Sequence, residues 1–215
     1  MIGNGYQRLK TVEYWDAIAS RYLEAFRDEF EGKSYDRQVL RDFADGLGSS
    51  ARVCDVGCGP CGSTTRLLAD AGVDAMGIDL SSRCVELARK QQPVLRFDVM
   101  DMAKMSFPDK SFDGLVHYYS LHYQPKAQLG AVMQEQARVL RSGGTLLIVA
   151  KEGTSEGWID DPMGSGLSVF WCDFSPRELQ ALVEQHGFEG ARCAVRDPLP
   201  SEIAVRRIYL TAHRK

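Results

Sequence analysis

The sequence lacks the features that define several large classes of protein. No stretch approaches the roughly 18 to 20 apolar residues that a membrane span requires, and no basic segment followed by an apolar one opens the chain. The net charge is only -3, which gives no general electrostatic reason to bind nucleic acid. Internal repeats and low-complexity segments are also missing. We therefore expect a cytoplasmic protein that has neither a membrane nor a nucleic-acid partner.

Cysteines are few and scattered, which argues against the dense disulfide framework of a small secreted domain. Cys58 and Cys61 form a C-x-x-C pair, but a zinc site of this kind normally needs a second pair of ligands and none follows. The cysteine pattern therefore predicts reduced thiols and no metal.

The length of 215 residues, with 44% apolar and 26% charged residues, fits one ordinary globular domain. Within a single domain over 1–215, the pattern of apolar residues and glycines divides the chain into four parts. These are an N-terminal helical cap over 1–48, a core over 49–150, a lid or substrate loop over 151–174, and a C-terminal helix with a strand pair over 175–215.

Hydrophobic periodicity predicts an α/β fold. Apolar residues at helical spacing indicate helices over 13–30 and 35–47. Beyond them, short apolar runs alternate with helical patterns five times, which is typical of a doubly wound parallel sheet with helices on both faces. The predicted strands are 51–56, 73–79, 94–98, 112–119 and 145–150, and the helix before the fifth is expected to end near Gly143. Two final strands, 188–195 and 205–213, are joined by a proline-containing loop, which suggests an antiparallel pair.

Residues 151–174 interrupt this alternation with several glycines and the aromatic residues Trp158 and Trp171. Long connections without regular structure are uncommon in compact domains unless they have a function. We therefore expect a functional loop or lid here, whose tryptophans either line an acceptor pocket or simply pack.

A glycine-rich turn follows the first predicted strand, and its sequence Gly57-Cys58-Gly59-Pro60-Cys61-Gly62 fits the pattern G-x-G-x-x-G. Such a turn lets the backbone approach a ligand and presents free N–H groups to it, which suits a pyrophosphate or an amino-acid carboxylate. Asp55 lies two residues before the first glycine. Its charge would repel a pyrophosphate but attract the ammonium of an amino acid.

Two further acids follow the next strands. Asp79 closes the second strand, where a carboxylate commonly accepts hydrogen bonds from ribose hydroxyls. Asp101 follows the third strand, where it is placed to accept from an adenine amino group while Met102 packs on the ring. Three acids around a glycine turn favour a cationic amino-acid nucleoside over a dinucleotide.

These residues resemble the class I methyltransferases that depend on S-adenosylmethionine (SAM), in particular the bacterial group that acts on small molecules. Several segments carry the resemblance, in the order expected for the family: Val53 to Pro60, Met76 to Ser81, Asp101 with Met105 to Asp113, Val139 to Leu146, Phe174 to Phe188, and Arg207 to Leu210. One position departs from the family, because Cys61 stands where glycine is usual and its side chain would crowd the methionine end of SAM.

The resemblance implies a Rossmann-like seven-stranded sheet of order 3-2-1-4-5-7-6 with strand 7 antiparallel. It also implies a cofactor that enters as SAM and leaves as S-adenosylhomocysteine (SAH), and a small-molecule acceptor methylated on O, N, S or C. The expected oligomeric state is a monomer or homodimer. The cofactor-binding residues expected from the motifs are Tyr22, Asp55, Gly57, Cys58, Gly59, Asp79, Leu80, Asp101, Met102 and Tyr118.

Aromatic residues and imidazoles follow the fourth strand, where the family places residues beside the methionine arm and the acceptor. Tyr118 is expected to touch SAM, and His122 or a tyrosine such as Tyr118 to orient or deprotonate the acceptor. Tyr22, on the first helix, is expected to cover the cofactor. The alternative for each ring is local packing.

Two other functions fit parts of the sequence. The glycine pattern and Asp79 also suit an NAD(P)-dependent oxidoreductase, although Asp55, Asp101 and the closing strand pair oppose it. Cys61 leaves room for a non-catalytic binding module that keeps the methyltransferase fold.

Overall fold

A seven-stranded mixed sheet organises the part of the chain that the computed structural model describes, residues 4–215. The strands of the chain are β1 Arg52–Val56, β2 Asp74–Asp79, β3 Arg96–Val99, β4 Phe112–Tyr118, β5 Leu140–Lys151, β6 Glu156–Asp160, β7 Ser168–Cys172, β8 Phe188–Arg196 and β9 Arg207–Arg214. The helices are α1 Asn4–Phe26, α2 Ser34–Leu47, α3 Ser63–Asp70, α4 Ser82–Gln91, α5 Leu129–Val139 and α6 Pro176–Gln185, with short 3₁₀ turns at Leu121–Tyr123 and Lys126–Gln128.

The strand order confirms the predicted fold. The order is β3-β2-β1-β4-β5-β9-β8, in which β1 to β5 are parallel and β9 runs antiparallel to both of its neighbours. With β6 and β7 set apart in a sheet of their own, β8 and β9 are the sixth and seventh strands of the large sheet. The expected order 3-2-1-4-5-7-6 is therefore the order found.

Both faces of the sheet are covered, because successive side chains of a strand point to opposite faces. In β5, Ile148 packs in the core beneath α5 and α6, whereas its neighbour Leu147 packs with residues of α2 and α3. Burial on both sides explains why the central strands are almost continuously apolar instead of alternating. It also explains why their positions are readable from the sequence.

The strand order reverses direction between β1 and β4, which places a crevice at their carboxyl ends. β1 pairs with β2 on one side and with β4 on the other, so the connections leaving these strands run to opposite sides. Ligands of open α/β sheets bind at such a point. The residues that follow β1, β2 and β4 are therefore the candidates for contact with a ligand.

Several boundaries differ from the predictions, most clearly at the ends of two helices. Helix α1 begins at Asn4 and ends at Phe26, because residues 27–32 form turns where the periodicity predicted helix up to 30. Helix α5 ends at Val139 and not near Gly143; β5 begins at Leu140, which pairs with Phe112 across a bulge. The glycine pair after the helix therefore lies within an irregular strand.

The segment 151–174 is not an irregular loop, and that expectation was wrong. It contains an antiparallel hairpin in which β6 pairs with β7 from Glu156 opposite Cys172 to Asp160 opposite Ser168. Strand β6 is mostly exposed, so it lacks the alternation of apolar and polar residues that predicts a half-buried strand. Its role as a lid stays a prediction.

Two absences hold for residues 4–215. No helix there combines the length and the apolar composition needed to cross a membrane. The same residues bring together no group of three or more His, Cys, Asp or Glu side chains able to hold a metal ion.

Candidate active site

The glycine turn is held against the ends of β2 and β4. The backbone N–H groups of Gly57 and Cys58 both donate to the carbonyl of Ile78 in β2, at 2.8 and 2.9 Å. Gly57 has φ of +82°, and a Cβ on it would lie 2.4 Å from the Cβ of Ser120. No larger residue fits there, so the first glycine is required both by its backbone conformation and by its contact.

A cleft of about 100 Å³ opens beside this turn. Its walls come from the glycine turn and the start of α3, from the ends of β2 and β4, and from α1, which lies over it. The lining residues are Thr11, Trp15, Tyr22, Glu29, Gly57, Cys58, Gly59, Pro60, Cys61, Ser63, Thr64, Asp79, Leu80, Met102, Tyr118, Tyr119, Ser120, Tyr123 and Gln124. The cleft lies at the point where the strand order reverses.

Asp79 connects the end of β2 to the glycine turn inside this cleft. Its Oδ2 accepts the backbone N–H of Gly59 at 3.0 Å, and its Oδ1 accepts that of Ser81 at 2.9 Å. Burial raises the pKa of this carboxyl to about 6, although the backbone N–H groups oppose the shift. Each carboxylate oxygen can accept more than one hydrogen bond, so Asp79 keeps capacity for a ligand.

Asp55 lies beneath the turn and does not line the cleft. It is fully buried, its Oδ2 accepts a hydrogen bond from the Thr65 hydroxyl at 2.7 Å, and its Oδ1 has no partner among the described residues. Burial raises the pKa of Asp55 to about 7. A buried carboxylate oxygen without a partner is costly, which indicates that the site is built for a positive charge nearby.

Asp101 lies outside the cleft and is already paired. Its Oδ2 accepts from the Arg8 guanidinium at 2.7 Å, and its Oδ1 accepts the N–H of Ala103 at 2.8 Å. The neighbouring Met102, in contrast, lines the cleft beside Leu80. Of the three acids, Asp79 thus lines the cleft, whereas Asp55 lies beneath the glycine turn and Asp101 lies outside the cleft.

Tyr118 lines the cleft, and its hydroxyl is hydrogen-bonded within the protein. The hydroxyl donates to Oδ1 of Asp36 at 2.7 Å; Asp36 is fully buried and also accepts from Tyr209 and Arg196. Burial raises the pKa of Tyr118 well above its usual value. The position of Tyr118 in the cleft agrees with cofactor contact, while its hydroxyl is engaged by Asp36; its catalytic role stays a prediction.

His122 makes structural contacts in this fold and does not line the cleft, so the structure gives its interpretation as a base no support, and that role stays untested. The ring is fully buried outside the cleft, with Nδ1 donating to the carbonyl of Cys172 and Nε2 accepting the N–H of Lys151 at 2.9 Å. It also stacks on Trp171, with centroids 4.2 Å apart. Burial lowers the pKa of His122 to about 3, so the neutral ring joins the β6–β7 hairpin to β5.

We expect His122→Ala to lower the free energy of unfolding by about 3 kcal/mol, because it leaves a buried N–H and a buried carbonyl without partners and opens a cavity. Denaturant unfolding measures this effect. The exposed His213 provides the matched control, and His213→Ala is expected to change stability by less than about 0.5 kcal/mol. Unchanged stability together with lost methyl transfer would support the role of His122 as a base.

Helix α1 covers the cleft through its aromatic residues. Tyr22 lines the cleft and packs edge-on against Trp15, with ring centroids 5.1 Å apart. Cys61 packs against Ala19 and Leu23 of the same helix. The side chain at the unusual cysteine position therefore serves the contact between the glycine turn and α1, while it still borders the cleft.

Several residues of the cleft were not among the expected site residues, and Tyr119 and Glu29 are two of them. Tyr119 has φ of +60°, an uncommon conformation for a non-glycine residue that clusters at functional sites. Glu29 lies in the turn after α1 and reaches the cleft with a side chain that is 15% exposed. No sequence motif includes either residue. For Tyr119, the only indication in the sequence is its place directly after β4.

Comparisons with known proteins agree with this geometry. Residues 53–144 match the sequence family described as a methyltransferase domain. A demethylmenaquinone methyltransferase of Beutenbergia cavernae is 32% identical over 136 residues, which are 62% of this chain and 55% of that protein. Phosphoethanolamine N-methyltransferase 3 of Arabidopsis thaliana is 31% identical over 67% of this chain and 30% of its own length. The chain thus spans about half, or less, of the length of these relatives.

Solved structures extend the similarity to nearly the whole chain. The DhpI–SAH complex has a TM-score of 0.74 at 19% identity and covers 99% of this chain and 98% of its own. The 1,6-didemethyltoxoflavin-N1-methyltransferase of Burkholderia thailandensis has a TM-score of 0.67 at 20% identity, over 94% and 89%. At this identity the structures show the fold. The matched domain over residues 53–144 and the shared fold point to one class, the SAM-dependent methyltransferases.

Proposed function

We propose that this chain transfers the methyl group of SAM to a small-molecule acceptor by in-line displacement. The observation that carries the proposal is the placement of Asp79. Its half-buried carboxylate stands in the cleft at the end of β2, is tied to Gly59 of the glycine turn, and keeps lone pairs free. That arrangement suits two neighbouring hydroxyls of a ribose.

The residues around the cleft fit the remaining parts of the cofactor. Leu80 and Met102 offer apolar surface for the adenine, while Gly57, Cys58 and Gly59 present backbone to the methionine end. Asp55, with its unpartnered oxygen below the turn, supplies negative charge for the ammonium. Tyr22 and the ring of Tyr118 would cover the cofactor from α1 and β4. Asp101 would reach the adenine only after releasing Arg8.

The cofactor supplies an electrophilic methyl group through its sulfonium, so the protein chiefly has to bind and align the acceptor. Alignment of two reactants removes several kcal/mol from a barrier. Helix α1 contributes Thr11, Trp15 and Tyr22 to the cleft, and this cover would limit the access of water to it. Neither His122 nor the hydroxyl of Tyr118 takes part in proton transfer in this proposal.

The rival functions differ in the ligand they require. An NAD(P)-dependent oxidoreductase is disfavoured by the methyltransferase domain matched at residues 53–144 and by the carboxyl of Asp55 below the turn, which repels a pyrophosphate when it is ionised. A non-catalytic module is weakened by Cys61, because its side chain packs with α1 and leaves the turn intact. The cytoplasmic location, the monomer or homodimer state and the absence of a nucleic-acid partner stay predictions.

Calorimetry with SAM, SAH, NAD and NADP tests the proposal. We expect SAM and SAH to bind, NAD and NADP not to bind, and labelled methyl groups to pass from SAM to members of a metabolite library. Binding of NAD in preference to SAH would support the oxidoreductase. Failure of every adenosyl ligand to bind would support the module.

A further inference from the structure

The cleft extends from the end of β2 to the end of β4, and the nucleoside of the proposed cofactor lies at the β2 end. Asp79 ends β2 and Tyr118 ends β4, on opposite sides of β1. Neighbouring strands lie about 4.8 Å apart, so these two positions are separated by about 10 Å. If the ribose lies at Asp79, as the proposed function requires, the end of the cleft beside β4 is left for the acceptor.

Glu29 belongs to the β4 end. Burial raises the pKa values of Tyr118 and Tyr22, and the negative charge of Glu29 raises them further. The Glu29 carboxylate therefore lies near both phenols. Its salt-bridge partner Lys33 has its Nζ 5.9 Å from the ring centroid of Tyr118 and 5.8 Å from that of Tyr119. Glu29 lines the cleft, whereas Lys33 does not.

The two oxygens of Glu29 differ in their surroundings. Oε2 accepts from the Lys33 ammonium at 2.9 Å, while no hydrogen bond within residues 4–215 reaches Oε1. Two other polar groups on this wall are engaged, because the Tyr118 hydroxyl donates to Asp36 and the Ser120 hydroxyl pairs with His117. The Tyr119 hydroxyl has no partner among the described residues, but Glu29 supplies the one carboxylate of this wall, with an oxygen available beside the aromatic rings.

The charge of this wall selects among acceptors. Lys33 compensates the charge of Glu29 from outside the cleft, so a cationic acceptor gains little from the pair. An anionic acceptor gains as little from the compensated pair, and its charged group has no proton to donate to the free oxygen of Glu29. A neutral O–H or N–H group would donate to that oxygen, while Trp15 and Tyr119 offer flat apolar surface for a ring.

We propose that Glu29 is a specificity-determining residue, and that the acceptor is a neutral aromatic compound whose O–H or N–H group donates a hydrogen bond to its carboxylate. This inference rests on the proposed function for the placement of the cofactor. Burial raises the pKa of Glu29 above its ordinary value, as expected for a carboxyl facing an enclosed site.

Three probes of matched size test the inference on the full chain saturated with SAH at neutral pH. They are para-ethylphenol, which donates a hydrogen bond, para-ethylanisole, which does not, and the anion para-ethylbenzoate. We expect the wild-type protein to bind para-ethylphenol at least about tenfold more tightly than either of the others by ligand-detected NMR, as a hydrogen bond to a charged group implies.

Glu29→Gln should reduce this preference to less than about threefold and strengthen the binding of para-ethylbenzoate, because Lys33 loses its partner. Lys33→Gln should keep the preference for para-ethylphenol. Glu24→Gln, at an exposed position of α1, is the matched control and should behave as wild type.

The affinity for SAH distinguishes a failure of the assignment of Glu29 from a failure of the proposed function. SAH affinity within about threefold of wild type shows that each variant is folded and leaves the cofactor site intact. Equal binding of the three probes, binding of none of them, or an unchanged preference in Glu29→Gln would overturn the assignment of Glu29. Absence of SAH binding by the wild-type protein would instead contradict the proposed function.

Discussion

Replacing Asp79 by asparagine is expected to weaken SAH binding at least about 100-fold, because two or more charge-assisted hydrogen bonds, each contributing roughly 1.5 to 3 kcal/mol, depend on this carboxylate. Asparagine keeps the shape of the side chain but presents an NH₂ group where an oxygen now accepts the N–H of Gly59 or Ser81. One of these backbone donors would then face another donor, and the ribose hydroxyls would lose an acceptor.

Calorimetry with SAH measures the effect, and the same strand provides a control. Asp74 stands at the opposite end of β2, where it is half-exposed and paired with Arg96 at 2.7 Å. Asp74→Asn is expected to leave SAH affinity within about threefold of wild type. Near-normal affinity of Asp79→Asn would remove the main support for the proposed cofactor position.

The core of the fold could be predicted because its sheet is buried on both faces. β1, β2, β4 and the central part of β5 are short apolar runs bounded by glycines and acids, and a parallel sheet gives few other places to put them. The β6–β7 hairpin could not be predicted in this way. Its strands pair with each other and not with the large sheet, and most of β6 is exposed, so no periodicity reports its existence.

The site residues that directly follow a strand could be predicted from the sequence. Acids that follow parallel strands come to one edge, and Asp79 accordingly lines the cleft. Partners distant in sequence could not be foreseen. Arg8 reaches Asp101 across 93 positions, and the carbonyl of Cys172 reaches His122 across 50. These contacts decide whether a side chain faces a ligand or the protein, and they arise from packing that no local motif encodes.

Removing the charge of Asp55 is expected to raise the stability of the protein and to weaken its binding of SAM. Burial raises its pKa from an ordinary value near 3.8 to about 7, so between these pH values the native state holds a proton that the unfolded state has released. Stability contributed by this proton is complete below about pH 4 and is lost as the pH rises through about 7. Asp79, with a pKa of about 6, contributes to the same decline.

Asp55→Asn should therefore stabilise the ligand-free protein at pH 8 by about 1 to 3 kcal/mol, with little gain at pH 4. Asparagine can still accept the hydrogen bond of Thr65, so the turn keeps its support. Denaturant unfolding at both pH values measures the change. The control is Asp70→Asn, an exposed site paired with Arg66, for which less than about 0.5 kcal/mol is expected.

The same substitution should weaken SAM binding about tenfold, because the ammonium loses a buried negative charge. Methylthioadenosine, which has the nucleoside but no amino-acid group, should bind wild type and Asp55→Asn with equal affinity. In the wild-type protein, SAM affinity should rise as the pH rises through about 7, since binding favours the ionised form of Asp55. A gain in stability without loss of SAM affinity would mean that the charge of Asp55 serves neither the fold nor the cofactor. A parallel loss for methylthioadenosine would place its effect on the turn itself and not on the ammonium.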